Sequence, residues 1–146
     1  MNPIRLLTWM GVVPFTLSLV SHWLDMPFGM EYSGLQAFAL YSVIILCFMS
    51  GTLWGQSITQ PNHPDQSKAL VGSIAITLIA LFAYMLLTPI AVVLLATFLY
   101  VGLIALEGYF GRSNRIVLSS YWRLRIQVTF VVCFHHLAVL IIWALT

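Results

Sequence analysis

The chain has 146 residues, of which 61% are hydrophobic and only 7% charged. Soluble domains carry about 25% charged residues, so there is too little charge here to cover a water-facing surface, and a mean hydropathy of +0.99 agrees. A net charge of +2 gives no basic stripe, which excludes a nucleic-acid binder. The composition is that of an integral membrane protein.

A bilayer core of about 30 Å needs about 20 apolar residues per helix. The first predicted span covers 4–23. It opens like a signal peptide, but the apolar run is too long. His22, Trp23, Leu24 and Asp25 stand where a small-residue cleavage site belongs, so a retained helix is expected. Pro14 removes one backbone hydrogen bond in mid-span and predicts a kink. A loop with Asp25, Pro27, Gly29 and Glu31 leads to the second span, 35–58. The next loop, 59–66, holds Pro61, Asn62, His63, Pro64 and Asp65, which break helices. The third span covers 68–87. A single helix from 68 to 107 would be about 60 Å long, twice the membrane. The chain must therefore turn at Thr88-Pro89, with Thr88 as the cap and Pro89 in the first helical position. The fourth span, 89–107, ends before Gly108, Gly111, Ser113 and Asn114, and the fifth covers 120–145. The expected fold is all-α, a single transmembrane domain over 1–146 with five membrane-crossing helices.

Counting Lys and Arg beside the spans gives the orientation. With the N-terminus inside, all six basic residues (Arg5, Lys68, Arg112, Arg115, Arg123, Arg125) fall on the inner side. Asp25, Glu31 and the C-terminus then fall outside, where there is no Lys or Arg. The positive-inside rule accepts this division in one direction only, so N-in, C-out is expected. No internal repeat is evident, and an odd number of spans counts against an inverted-repeat transporter.

Several groups of residues stand out. In the second span, Ser50-Gly51-Thr52-Leu53-Trp54-Gly55 puts small residues on one face, and Gly51 and Gly55 form a GxxxG. Such a face lets helix backbones approach closely. It serves either packing within the bundle or docking of a partner, a lipid or a quinone head group. Trp54 suits the inner interface. At the start of the fifth span, Tyr121-Trp122-Arg123-Leu124-Arg125 reads as an interface anchor. Arg123 and Arg125 point about 160–200° apart. One can reach lipid phosphate while the other turns into the bundle, where Glu107 is the nearest counter-charge. His135 and His136 lie about 16 Å further along the helix, at mid-membrane. Adjacent positions about 100° apart cannot chelate one metal from a regular helix. Arg125, Thr129, Cys133 and His136 share a stripe at three- and four-residue spacing, which is expected to face inward. His136 is therefore the stronger candidate of the pair.

Other chemistries find little support. A b-type haem would need a second ligand at the same depth, and His22 lies near the outer boundary. A serine hydrolase using Ser50 and His136 would need glycine two residues before the serine, where Phe48 stands. No paired acids lie within the spans to carry protons or metal. Cys47 and Cys133 sit in apolar runs without metal-ligand spacing and read as small core residues. Ala69, Ser73, Thr77, Ala80 and Tyr84 give the third span a small, mildly polar face, and Gly102 and Ala105 thin the fourth.

Gly11-x-x-Pro14-Phe15, then Tyr41 through Phe48 to Gly51-x-x-Trp54-Gly55, then Trp122-Arg123-Leu124-Arg125 together resemble one family. It is the five-helix membrane family known as domain of unknown function 3429, which eukaryotic transmembrane protein 69 also carries. The resemblance runs over nearly the whole chain. It implies a small multi-pass protein of the bacterial inner membrane or of its mitochondrial counterpart. The family has no established activity, so the resemblance brings no catalytic residue, only emphasis on Gly51, Trp54, Gly55, Arg123 and Arg125. The segment from Glu107 to Arg112 departs from the family's pattern of an acidic residue followed closely by basic ones, and the histidine pair is not part of that pattern.

With short loops, no catalytic set and small-residue faces, the chain is expected to be a non-enzymatic accessory or assembly subunit of a larger membrane complex, without cofactor or metal. Its partners would be the bilayer and another membrane protein or a second copy. The alternative is a lipid- or quinone-binding protein or small carrier, with a site at the inner interface between Trp54, Arg123, Arg125 and His136. An oligomeric channel is a third reading, and it would need a symmetric ring.

Overall fold

The computed structural model describes residues 3–28, 32–113 and 119–145, with the side chains of 111–120 outside the description. Gly29, Glu31, Asn114, Arg115 and Thr146, and the side chains of Arg112 and Ser113, therefore lie outside the described residues. The elements are α1 (Pro3–Met10), α2 (Val13–Trp23), β1 (Pro27–Phe28), β2 (Tyr32–Ser33), α3 (Gly34–Ile58), α4 (Gln66–Leu86), α5 (Pro89–Ser113) and α6 (Ser119–Leu145). Counting α1 and α2 together as Pro3–Trp23, five helical segments are long and apolar enough to cross a membrane. The protein is an all-α, multi-pass membrane bundle.

Pro14 shapes the first span. It lies near the start of α2, and the helix is interrupted at Gly11 and Val12. Proline offers no N–H to the carbonyl four residues earlier and crowds it, so the chain breaks just before the ring. Tyr41 of α3 donates its hydroxyl to the Gly11 carbonyl at 2.9 Å, satisfying a backbone group at the break. Beyond the break, α1 buries no residue, whereas α2 buries Phe15 and Ser18.

Asp25, with φ 51°, turns the chain out of α2, and β1 and β2 pair antiparallel in a short hairpin that the loop reading did not foresee. Ser33 caps α3. Its hydroxyl accepts from the Gln36 N–H, and the Gln36 side chain accepts from the Ser33 N–H, the reciprocal pairing of a capping box. Gly34 follows because α2 passes against it. A Cβ on Gly34 would run into the backbone N and Cα of His22.

Around the bundle, α2, α3, α4, α5 and α6 pack in chain order, α6 closes back on α2, and α3 also crosses to α5. The core between them holds Phe15, Phe38, Leu46, Tyr100, Leu103, Val132 and Val139. α5 begins at Pro89, as the turn predicts, and Val92 donates to the Thr88 carbonyl at 3.0 Å. Its end corrects the sequence reading. The helix does not stop at Glu107 but continues through Gly108 to Ser113. A glycine inside a helix costs about 1 kcal/mol, and tertiary contacts offset it here. Trp122 packs onto Gly108, and Phe110 is buried with the His63 ring 4.3 Å away.

Candidate functional site

The inward stripe of α6 organises the interior. Arg125, Thr129 and His136 are buried on it, with Cys133 half-buried between them. Three- and four-residue steps keep side chains on one helical face. Phe130, Phe134 and Leu137 cover the opposite, exposed face.

At the first turn of the stripe, Arg125 ties three helices together. Its Nε donates to Glu107 Oε2 of α5 at 2.8 Å, and the pair is almost wholly buried. One terminal nitrogen donates to the Met49 carbonyl and to Thr52 Oγ1 of α3, both at 2.9 Å, while the other meets the Tyr121 hydroxyl at 3.4 Å. Thr52 in turn donates to the Met49 carbonyl at 2.7 Å. A buried charge is tolerated when it is paired and its remaining donors are used, and the planar fork of arginine suits such a junction. Glu107 thus fills the counter-charge position despite the departure of its segment from the family pattern.

Three turns further along, His136 is fully buried among rings. Phe38 and Tyr100 stand edge-on at centroid distances of 4.9 and 5.4 Å, and Phe15 lies at 5.7 Å. His136 Nδ1 donates to the Val132 carbonyl at 2.8 Å. Tyr100 donates to the Ser42 carbonyl on α3 at 2.9 Å. His135 is half-buried on the α2 side, where its Nε2 accepts from Thr16 Oγ1 at 3.0 Å.

The Gly51–Gly55 face is different. A Cβ on either glycine would meet nothing within 4 Å, so this GxxxG is not used for packing inside the bundle. Close α3–α4 contact is made one position away, where Ser50 donates to the Ser73 carbonyl at 2.5 Å. Beside that contact lies a groove of about 280 Å³, lined by Gly51 and Trp54 from α3 and by Ile74, Thr77 and Leu78 from α4.

The sequence candidates therefore do not meet in one site. Arg125 and His136 share a face but are separated by about 16 Å of helix rise. Arg123 is exposed while Arg125 is buried, because two residues turn a helix by about 200°. Trp54 is exposed beside the groove, whereas Met49 and Thr52 of the same helix face Arg125. A single pocket between Trp54, Arg123, Arg125 and His136 is thus corrected to four separate places.

The sequence reading passed over Tyr100, Phe15 and Phe38 as functional neighbours, since aromatic residues in apolar runs carry no spacing signal. The loop cluster of His63, Asp65, Lys68 and Tyr109 also went unnoticed. There Lys68 donates to Asp65 at 2.8 Å and sits over the Tyr109 ring. The Lys68 hydrogen bond holds the Asp65 carboxyl below its usual pKa. Among the described residues, no three His, Cys, Asp or Glu side chains cluster as metal ligands would.

No curated protein and no solved structure matches the chain. The family described as protein of unknown function (DUF3429) matches residues 1–141. The break at Gly11 and Pro14 latched by Tyr41, and the opening of α6 anchored by Arg125, are thus features of a chain that belongs to the DUF3429 family.

Proposed function

We propose that this protein is a non-enzymatic accessory or assembly subunit of a larger membrane complex, in the bacterial inner membrane or its mitochondrial counterpart, oriented N-in and C-out. The observation that carries the reading is the outward-facing Gly51 and Gly55, with nothing within 4 Å of where either Cβ would stand. Helices in lipid associate where small residues let backbones close up, and this small face is left over after the bundle has packed. The groove beside it gives a partner helix a second wall on α4.

Native mass spectrometry after mild detergent extraction from source membranes tests this. The expected result is a species with defined extra protein mass. Gly51→Leu is expected to remove that mass, and because a Cβ there meets nothing within 4 Å, an unchanged melting temperature of the variant monomer checks that its own bundle is intact. A monomer without any co-purifying protein overturns the reading.

The groove also favours a second reading, a lipid- or quinone-binding protein or small carrier. Arg125 is not the head-group partner in that case, because Glu107, Met49, Thr52 and Tyr121 engage its guanidinium. A monomer carrying a small molecule that Gly51→Leu displaces is the result that selects it.

A further inference from the structure

His135 and His136 bond their helix in the same way, and they differ in what meets the other ring nitrogen. Each Nδ1 lies 2.8 Å from the carbonyl oxygen four residues earlier, Val131 for His135 and Val132 for His136. Only an N–H makes that contact, so in the neutral rings both Nε2 atoms are bare acceptors. His135 Nε2 receives the Thr16 hydroxyl at 3.0 Å. His136 Nε2 is buried with no partner among the described residues. Its surroundings are the rings of Phe15, Phe38 and Tyr100. None of these supplies a donor, because the Tyr100 hydroxyl hydrogen goes to Ser42.

A second orphan lies on the same face. Thr129 Oγ1 is buried and has no partner among the described residues. Thr129 stands seven residues before His136, about 10 Å of rise and close to two full turns. Cys133 is between the two, and four residues before Thr129 is Arg125, bonded to Glu107 and Tyr121. A bare polar atom in a dry interior costs on the order of a few kcal/mol. Folded proteins meet such a cost with buried water, which typically makes about three hydrogen bonds to otherwise unsatisfied groups.

We infer that the inward stripe of α6 is a water-binding file: one water donates to His136 Nε2, and others follow Cys133 and Thr129 down to the Arg125–Glu107 pair. His136 Nε2 requires a hydrogen-bond donor. The rings of Phe15, Phe38 and Tyr100 pack around it at centroid distances of 5.7, 4.9 and 5.4 Å, which favours the smallest donor, water, over a ring-bearing ligand, although a lipid hydroxyl offers the same chemistry. The file gives this small bundle a polar axis from one end to mid-membrane. It does not rest on the docking reading, since it lies on the inside of α6 and the open glycine face lies on the outside of α3.

Water-edited solid-state NMR of the full labelled chain in phospholipid vesicles tests it. Magnetisation from water is expected to reach the His136 ring and the Thr129 side chain several-fold faster than Leu46 and Val139, which are equally buried and apolar. Thr129→Val keeps the side-chain shape and removes the hydroxyl. It is expected to slow transfer to His136 to the rate of those apolar residues, while His135, held by Thr16, keeps its chemical shift and reports an intact fold. Wild-type transfer to His136 and Thr129 as slow as to Leu46 overturns the inference. So does rapid transfer from lipid protons alone, which would assign the donor to a lipid. An unchanged His136 rate in Thr129→Val breaks the file.

Discussion

Arg125 shows how one residue can set the contact of three helices. Removing one partner of a buried pair leaves the other charge uncompensated, at a cost of about 3–5 kcal/mol. Arg125→Gln is therefore expected to lower the melting temperature in detergent strongly, and Glu107→Gln likewise. The double variant Glu107→Gln/Arg125→Gln should lose much less than the sum, because it strands no charge. Thermal unfolding of the four proteins measures this, and strict additivity would show that the 2.8 Å contact is not the coupling. The sequence pointed to Glu107 as the counter-charge of one arginine, and the stripe shared with Thr129, Cys133 and His136 pointed to Arg125 as the one that turns inward. Its further bonds to the carbonyl of Met49 and the hydroxyl of Thr52 depend on where α3 lies in space.

Three glycines of α3 behave in opposite ways. At the start of α3, Gly34 is held against the His22 backbone, so Gly34→Ala forces α2 and α3 apart. Further along, Gly51 and Gly55 face open space, and alanine there gains about 1 kcal/mol of helix propensity without a clash. The expected order of melting temperatures for the isolated chain is Gly51→Ala at or above wild type and Gly34→Ala well below it. The reverse order would mean that the helices pack differently. Sequence reading noticed the pair at four-residue spacing and passed over the glycine that packs. GxxxG is a pattern along one strand of chain, whereas the approach of Gly34 to His22 is made by the hairpin between α2 and α3, which no local signal announces. Helix ends were legible where chemistry marks them, as at Pro89. They were misjudged at Gly108, where Trp122 and Phe110 carry the helix past a weak residue.

At the scale of the whole molecule, the alternation of five spans places Lys68, Arg123 and Arg125 at one end of the bundle. Basic residues on that end predict a cytoplasmic N-terminus and an external C-terminus. A phosphatase reporter fused after Thr146 should be active outside the cytoplasm, and an inactive fusion with an active cytoplasmic reporter at the same point would reverse the orientation. The sequence by itself determined that this chain is a membrane bundle, how many times it crosses, and which residues of α6 face inward. Those follow from hydropathy, span length and helical period, all of which act along the chain. Only the tertiary structure decided that Gly51 and Gly55 stay uncovered, that Arg125 pairs with Glu107, and that His136 sits in a ring of aromatics while His135 finds Thr16. Each of those depends on the rotation and approach of neighbouring helices, which packing between elements sets and no single helix encodes.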